Sequence, residues 1–213
     1  MRKVRFGMGG ILMIASMMIS DSFAIIGVYL LAAAWHEAGH ILTSKLMKIE
    51  IKEIKFGFSG IRIVTDSHLT SYKREFWLSL AGPCANILAF IITVSVFKAS
   101  GMRTTELFES ASRFLGGERG VWEALAFFAL ASLIQAIMNL LPVNTFDGGR
   151  MIYCAVAELF SQHAAERILS ILSAFSAFIL WTVALYLMLR ISAGMGIFVF
   201  SGCIFALITM KDK

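Results

Sequence analysis

The sequence predicts an all-α polytopic membrane protein, with about six transmembrane helices and a small membrane-associated β-hairpin between the second and third. Three observations carry this expectation. Of the 213 residues, 58% are hydrophobic and 15% charged, where soluble domains have about 45–50% and about 25%. The apolar residues fall in runs long enough to cross a bilayer, which takes about 20 residues of helix. Lastly, 14 of the 19 Lys and Arg residues fall in alternate connections between those runs, the pattern left by the positive-inside rule. The net charge of +5 is therefore read as topology, and no nucleic-acid partner is expected.

Taken in order, the chain opens on Arg2, Lys3 and Arg5 and enters a first span at residues 6–19. That span is short beside the usual ~20 residues and resembles a signal peptide. Hydrophobicity resumes after Ser20-Asp21, however, with no small-residue cleavage site, so the span is read as uncleaved. The further spans are placed at residues 22–47, 76–97, 121–141, 168–189 and 194–210. Residues 98–120 carry charges of both signs and are read as a mixed loop. Cys84, Cys154 and Cys203 are odd in number and each lies in an apolar segment, which suits small core residues better than a disulfide framework. No stretch is polar for long enough to make a second domain, so residues 1–213 are taken as one.

Six spans place both termini on one side. The N-terminus, residues 45–74, residues 142–167 and the C-terminus hold the 14 basic residues, and the opposite side holds Lys98, Arg103, Arg113, Arg119 and Arg190. Both ends are therefore expected in the cytoplasm, with the chain a multi-pass protein of the cell membrane. Within residues 54–58, apolar residues alternate with Lys55 and Gly57. Ser59-Gly60 supplies a turn, and residues 61–64 resume a β-branched run, so a hairpin is expected at the cytoplasmic membrane surface.

The second span contains Trp35-His36-Glu37-Ala38-Gly39-His40. On a helix, His36 and His40 stand one turn apart and can share a Zn²⁺, while Glu37 projects beside them as a candidate general base. Three ionisable groups within five residues of a lipid-buried helix are costly, and they point to a functional site facing the protein interior or a wet cavity. A catalytic zinc takes three protein ligands and a water, so a third ligand must come from elsewhere and one ion per chain is expected. His68, His163, Cys154 and Asp147 are the candidates. Asp147 is the best placed, because it follows the cytoplasmic end of the fourth span at about the depth of His36 and His40. Pro142 stops that helix and Gly148-Gly149 permits sharp turns, so residues 142–149 are expected to be broken backbone, tolerated at membrane depth only inside protein or along a wet cavity.

The His36-Glu37-Ala38-Gly39-His40 motif does not stand alone. With Ala81-Gly82-Pro83-Cys84-Ala85-Asn86, Asn139-Leu140-Leu141-Pro142 and Asp147-Gly148-Gly149, it resembles the site-2 protease family of intramembrane zinc metalloproteases. Within that family it is most similar to the bacterial branch that processes a sporulation sigma-factor precursor. The resemblance spans residues 31–150. It implies that His36, His40 and Asp147 hold the zinc, that Glu37 is the base that activates water, and that Asn139 lies near the substrate backbone or the developing oxyanion. Asn86 either contacts substrate or lets the third span kink and pack closely. Thr145 stands where the family often has a second proline. Many relatives carry a PDZ or CBS domain and none is expected here, which leaves any such regulation to other membrane proteins.

The expected activity is hydrolysis of a peptide bond in or near the transmembrane segment of a membrane-tethered protein, within the lipid bilayer, releasing a cytosolic domain such as a latent transcription or sigma factor. A membrane metal transporter and a non-catalytic scaffold are the alternatives. Transporters usually show repeat-related halves, and none is evident. A helical substrate hides its carbonyls, so it must be unwound and given new hydrogen-bond partners. The hairpin, with Phe56 and Phe58, is expected to supply them by strand addition.

Overall fold

The computed structural model describes residues 3–6, 23–49, 51–57, 60–65 and 71–191. In chain order these form β1 (Lys3–Phe6), α1 (Phe23–Leu46), β2 (Ile51–Gly57), β3 (Gly60–Thr65), α2 (Tyr72–Ala99), α3 (Thr104–Leu115), α4 (Val121–Leu140), α5 (Asp147–Leu159) and α6 (Gln162–Ile191). Among the described residues, four helices are long and apolar enough to cross a membrane: α1, α2, α4 and, over Gln162–Val183, α6. The spans expected at residues 6–19 and 194–210 lie outside the described residues, apart from Phe6. That residue belongs to β1, so a strand the sequence reading missed occupies the place where the first span was expected to begin.

The four long helices bury small residues and expose large ones. Ala32, Ala89, Ala126, Ala129, Ser132, Ala136 and Ala177 are buried, while Leu31, Ile91, Ile92, Ile134, Ile171 and Phe175 point outward. This distribution suits hydrocarbon surroundings, where apolar burial drives little and close backbone approach through small residues supplies the packing. Trp35 donates from Nε1 to the Ala85 carbonyl at 2.9 Å and pins α1 to α2.

The mixed loop expected at residues 98–120 contains a helix. Leu107, Ala111 and Phe114 recur at helical spacing on one face of α3 and are buried. Leu107 and Ala111 pack with Phe97 of α2 and with Ala126 and Ala129 of α4. A second helix, α5, fills much of the segment read as connection after Pro142.

Between α4 and α5 the chain is irregular, as Pro142 dictates. Leu141, the residue before the proline, is extended at φ −62 and ψ 143, and so it ends α4. Val143 and Phe146 then bury against Ala177 of α6. The backbone bonds are completed by one side chain: Ser173 of α6 accepts from the Asn144 N–H at 2.9 Å and donates to the Pro142 carbonyl at 3.3 Å. Ser173→Ala is expected to remove both bonds at this part-buried loop and to cost about 0.5–1.5 kcal/mol, read as a lower thermal midpoint in detergent. An unchanged midpoint would mean that the loop finds another acceptor. Gly148 and Gly149 are not turn residues, since neither has positive φ. A Cβ at Gly148 would lie 2.2 Å from the Leu140 carbonyl oxygen, and one at Gly149 2.1 Å from that of Val143. The glycines let the start of α5 fold back on the end of α4.

The strands form one sheet in the order β1-β2-β3, with β1 parallel to β2 and β2 antiparallel to β3. Ile54 pairs with Ile63 and Phe56 with Ile61. The central strand is therefore β2, bonded on both sides, and β3 is the strand beside α1. Phe58 and Ser59 lie outside the described residues.

Candidate metal centre

Three elements, α1, α2 and α5, supply the site and meet near one end of the bundle. α1 carries His36, Glu37 and His40. His40 lies six residues before the end of α1, which is about 9 Å along a helix. Asp147 opens α5, and α2 contributes the wall behind the histidines. The Glu75 carboxylate near the start of α2 pairs with Arg150 at 3.2 Å. Arg150 is three residues beyond Asp147, so this ion pair docks the first turn of α5 on α2.

His36 Nε2 and His40 Nε2 are 3.1 Å apart, and Asp147 Oδ2 lies 3.0 Å from the first and 3.3 Å from the second. Three ligand atoms around a tetrahedral zinc, at about 2.0–2.1 Å from the ion, stand about 3.3 Å from one another. The three atoms thus form a triangle of nearly that size. His40 Nδ1 is 2.7 Å from the Leu78 carbonyl. A carbonyl only accepts, so the proton sits on Nδ1, leaving the Nε2 lone pair turned to the triangle. His36 Nδ1 is 3.3 Å from the Asn86 amide. The ligand atoms of Glu37 and the two histidines lie within 4.8 Å of one another, and Glu37 Oε2 is buried with no hydrogen-bond partner. Both His36 and His40 are buried.

The donor set fits a zinc ion by its chemistry, and the space fits as well. A Cβ at Gly82 would lie 2.4 Å from both His36 Nε2 and His40 Nε2, so the missing side chain leaves room beside the two nitrogens. Two nitrogens and one carboxylate oxygen, with a neighbouring carboxylate free of other bonds, match the pattern of a catalytic rather than a closed structural site.

Of the other candidate ligands, His163 is exposed at the start of α6 and His68 lies outside the described residues. Cys154 is buried but turned to Glu75 Oε2 at 3.8 Å. Burial and then the Glu75 carboxylate push its thiol up to about 11, and its sulfur faces Glu75 rather than the two histidines. Asn139 donates to the Gln135 carbonyl of its own helix at 3.1 Å. Asn86 is fully buried and faces His36 and Gln135 Oε1, each at 3.3 Å. Gln135 was not singled out from the sequence. It donates to the Tyr29 carbonyl of α1 at 3.2 Å, and a second amide one helical turn before Asn139 in the apolar run 121–141 was the available signal. Phe56 lies on the central strand of the sheet.

Among solved structures, the chain is similar to a site-2 protease from Methanocaldococcus jannaschii, at 18% identity and a TM-score of 0.62, covering 99% of this chain and 90% of that one. At that identity the likeness speaks for the fold. A comparison with curated protein sequences gives no match. The family model of peptidase family M50 matches residues 23–183, a range that holds the histidines, Glu37, Asp147 and the α2 wall. The four long apolar helices and the metalloprotease-type donor cluster lie in a region matched over most of its length, and the chain belongs to peptidase family M50, a family of membrane proteases that are in general zinc metalloproteases.

Proposed function

We propose that this chain is an intramembrane zinc metalloendopeptidase that holds one Zn²⁺ through His36, His40 and Asp147. It cuts a membrane-tethered protein in or near its transmembrane segment. The observation that carries the reading is the triangle of two imidazole nitrogens and one carboxylate oxygen beside the unpartnered Glu37 carboxylate. When bound, zinc supplies the Lewis acidity that polarises the scissile carbonyl and acidifies the attacking water. Glu37 takes a proton from that water as the new C–O bond forms, and returns it to the amine as the C–N bond breaks. Asn139, at the end of α4, bonds the substrate backbone. Small residues between the helices and the folded-back start of α5 exclude bulk water.

With both termini cytoplasmic, the site opens toward the cytoplasm. A cut there releases a cytosolic domain, with a latent transcription or sigma factor of the sporulation type as the substrate class. Regulatory membrane proteins would act on the chain from outside it. Co-expression with single-span substrates of that class, with zinc content measured in parallel, tests the reading. Cleavage that needs zinc supports it, zinc without cleavage leaves a transporter, and neither leaves a scaffold.

Substrate pairing falls to β3 rather than to Phe56. β2 is bonded on both sides, so the main chain at Phe56 has no free edge. β3 has one strand neighbour among the described residues and lies beside α1. Single proline substitutions at Ile61, Arg62, Ile63 and Val64 are expected to split by alternation, because successive N–H groups point to opposite edges. Two should break the pairing with β2. The other two should lower cleavage with zinc content and melting unchanged. Four prolines that all leave cleavage intact would exclude strand addition.

A further inference from the structure

We infer that the stripe Leu78, Gly82 and Asn86 on α2 positions both metal-binding histidines, and that Gly82 is the residue on which the opening for the ion depends. This rests on the metalloprotease reading above. The three residues are spaced four apart, so they lie one above another on a single helix face. Each meets a different part of the site. The Leu78 carbonyl holds the outer nitrogen of His40. Gly82 lies against both inner nitrogens, and Asn86 touches the outer nitrogen of His36. Gln135 of α4, itself anchored on the Tyr29 carbonyl, braces Asn86 from behind. The outer nitrogen of a metal-binding histidine normally donates to an acceptor, as that of His40 does to the Leu78 carbonyl, and loss of such a partner weakens binding by about 10–100-fold; the group that Asn86 turns to His36 Nδ1 is its Nδ2.

A glycine in a packed helix is often there to let two backbones approach, and the surroundings of Gly82 speak against that role. The first atoms a Cβ would meet are His36 Nε2, His40 Nε2 and His36 Cε1, all in imidazole rings. At Gly148 the first atoms are backbone. A methyl group at position 82 would therefore press on imidazole rings rather than on backbone, and those rings cannot yield while they share an ion. Metal binding and apo stability should separate in this variant, which a helix-packing role would not allow.

The experiment uses the full chain in detergent, with zinc affinity from chelator competition and melting followed with and without chelator. Wild type should take up about one zinc and melt higher with it, since a ligand that binds only the native state stabilises it. Gly82→Ala should melt like wild type in chelator, show no zinc-dependent rise, and bind zinc at least about 100-fold more weakly, beyond the loss of an outer partner. Asn86→Leu, which removes a neighbour of one histidine and puts nothing between the two inner nitrogens, should weaken zinc binding less than Gly82→Ala does. Gly27→Ala, where nothing lies within 4 Å of the added carbon, should match wild type in every measurement. Wild-type zinc affinity in Gly82→Ala overturns the inference. So does a chelator-treated Gly82→Ala that melts far below chelator-treated wild type, which would make the glycine a packing residue. Wild type that takes up no zinc overturns the metalloprotease reading and this inference with it.

Discussion

Glu37→Gln is expected to lower substrate cleavage by about 10²–10⁴-fold, the range a positioned general base contributes, while zinc content stays at the wild-type level. The amide is nearly the same size as the carboxylate and cannot take a proton from water. The metal contacts expected from His36, His40 and Asp147 do not pass through it. Cleavage of a co-expressed single-span substrate, scored by the ratio of product to precursor, reads the first half of the result, and metal analysis of the purified protein reads the second. Retained turnover in the zinc-loaded variant would remove Glu37 from the chemistry.

Asp147→Asn is expected to act on the ion itself. One oxygen, Oδ2, faces both histidine nitrogens, so the substitution replaces the negative corner of the triangle with a neutral amide. Zinc affinity should drop by more than the roughly 10–100-fold seen when an outer partner is lost, and turnover should vanish with the metal. His163→Ala and His68→Ala should change neither quantity, because His163 is exposed whereas the two histidines of the cluster are buried, and the triangle is complete without either. A variant set in which His68→Ala strips zinc and Asp147→Asn does not would require a different third ligand.

These two residues differ in how far the sequence discloses them. His36, Glu37 and His40 are legible because helical periodicity alone puts them on one face of one span. Asp147 is 111 positions from His36, and only matched depth at the ends of two spans brings it near. Gly82 was legible as part of a motif but not in its role, because what it contributes is an empty volume, visible only once the neighbouring rings are placed. Gln135 and Ser173 were overlooked among apolar neighbours. The α3 helix was hidden by charges of both signs, although Leu107, Ala111 and Phe114 keep its period. β1 escaped notice because four residues among basic ones carry too little pattern to separate a strand from the start of a span. The central position of β2 follows from β1, so the free edge could not be assigned without it.

The ion pair between Glu75 and Arg150 and the reach of Asp147 to the histidines share a topological consequence. Both tie α5 to parts of the chain far earlier in sequence, and an ion held by His36, His40 and Asp147 would close a loop of more than a hundred residues. In its effect on chain entropy, such a closure behaves like a disulfide, which for a loop near 100 residues is worth up to about 4.7 kcal/mol in the chain-entropy picture. The ion would then be a fastener as well as a reagent. Chelation should loosen α5 before the rest of the bundle, and amide exchange or limited proteolysis across residues 141–161 would register the loss of the metal even where no substrate is present.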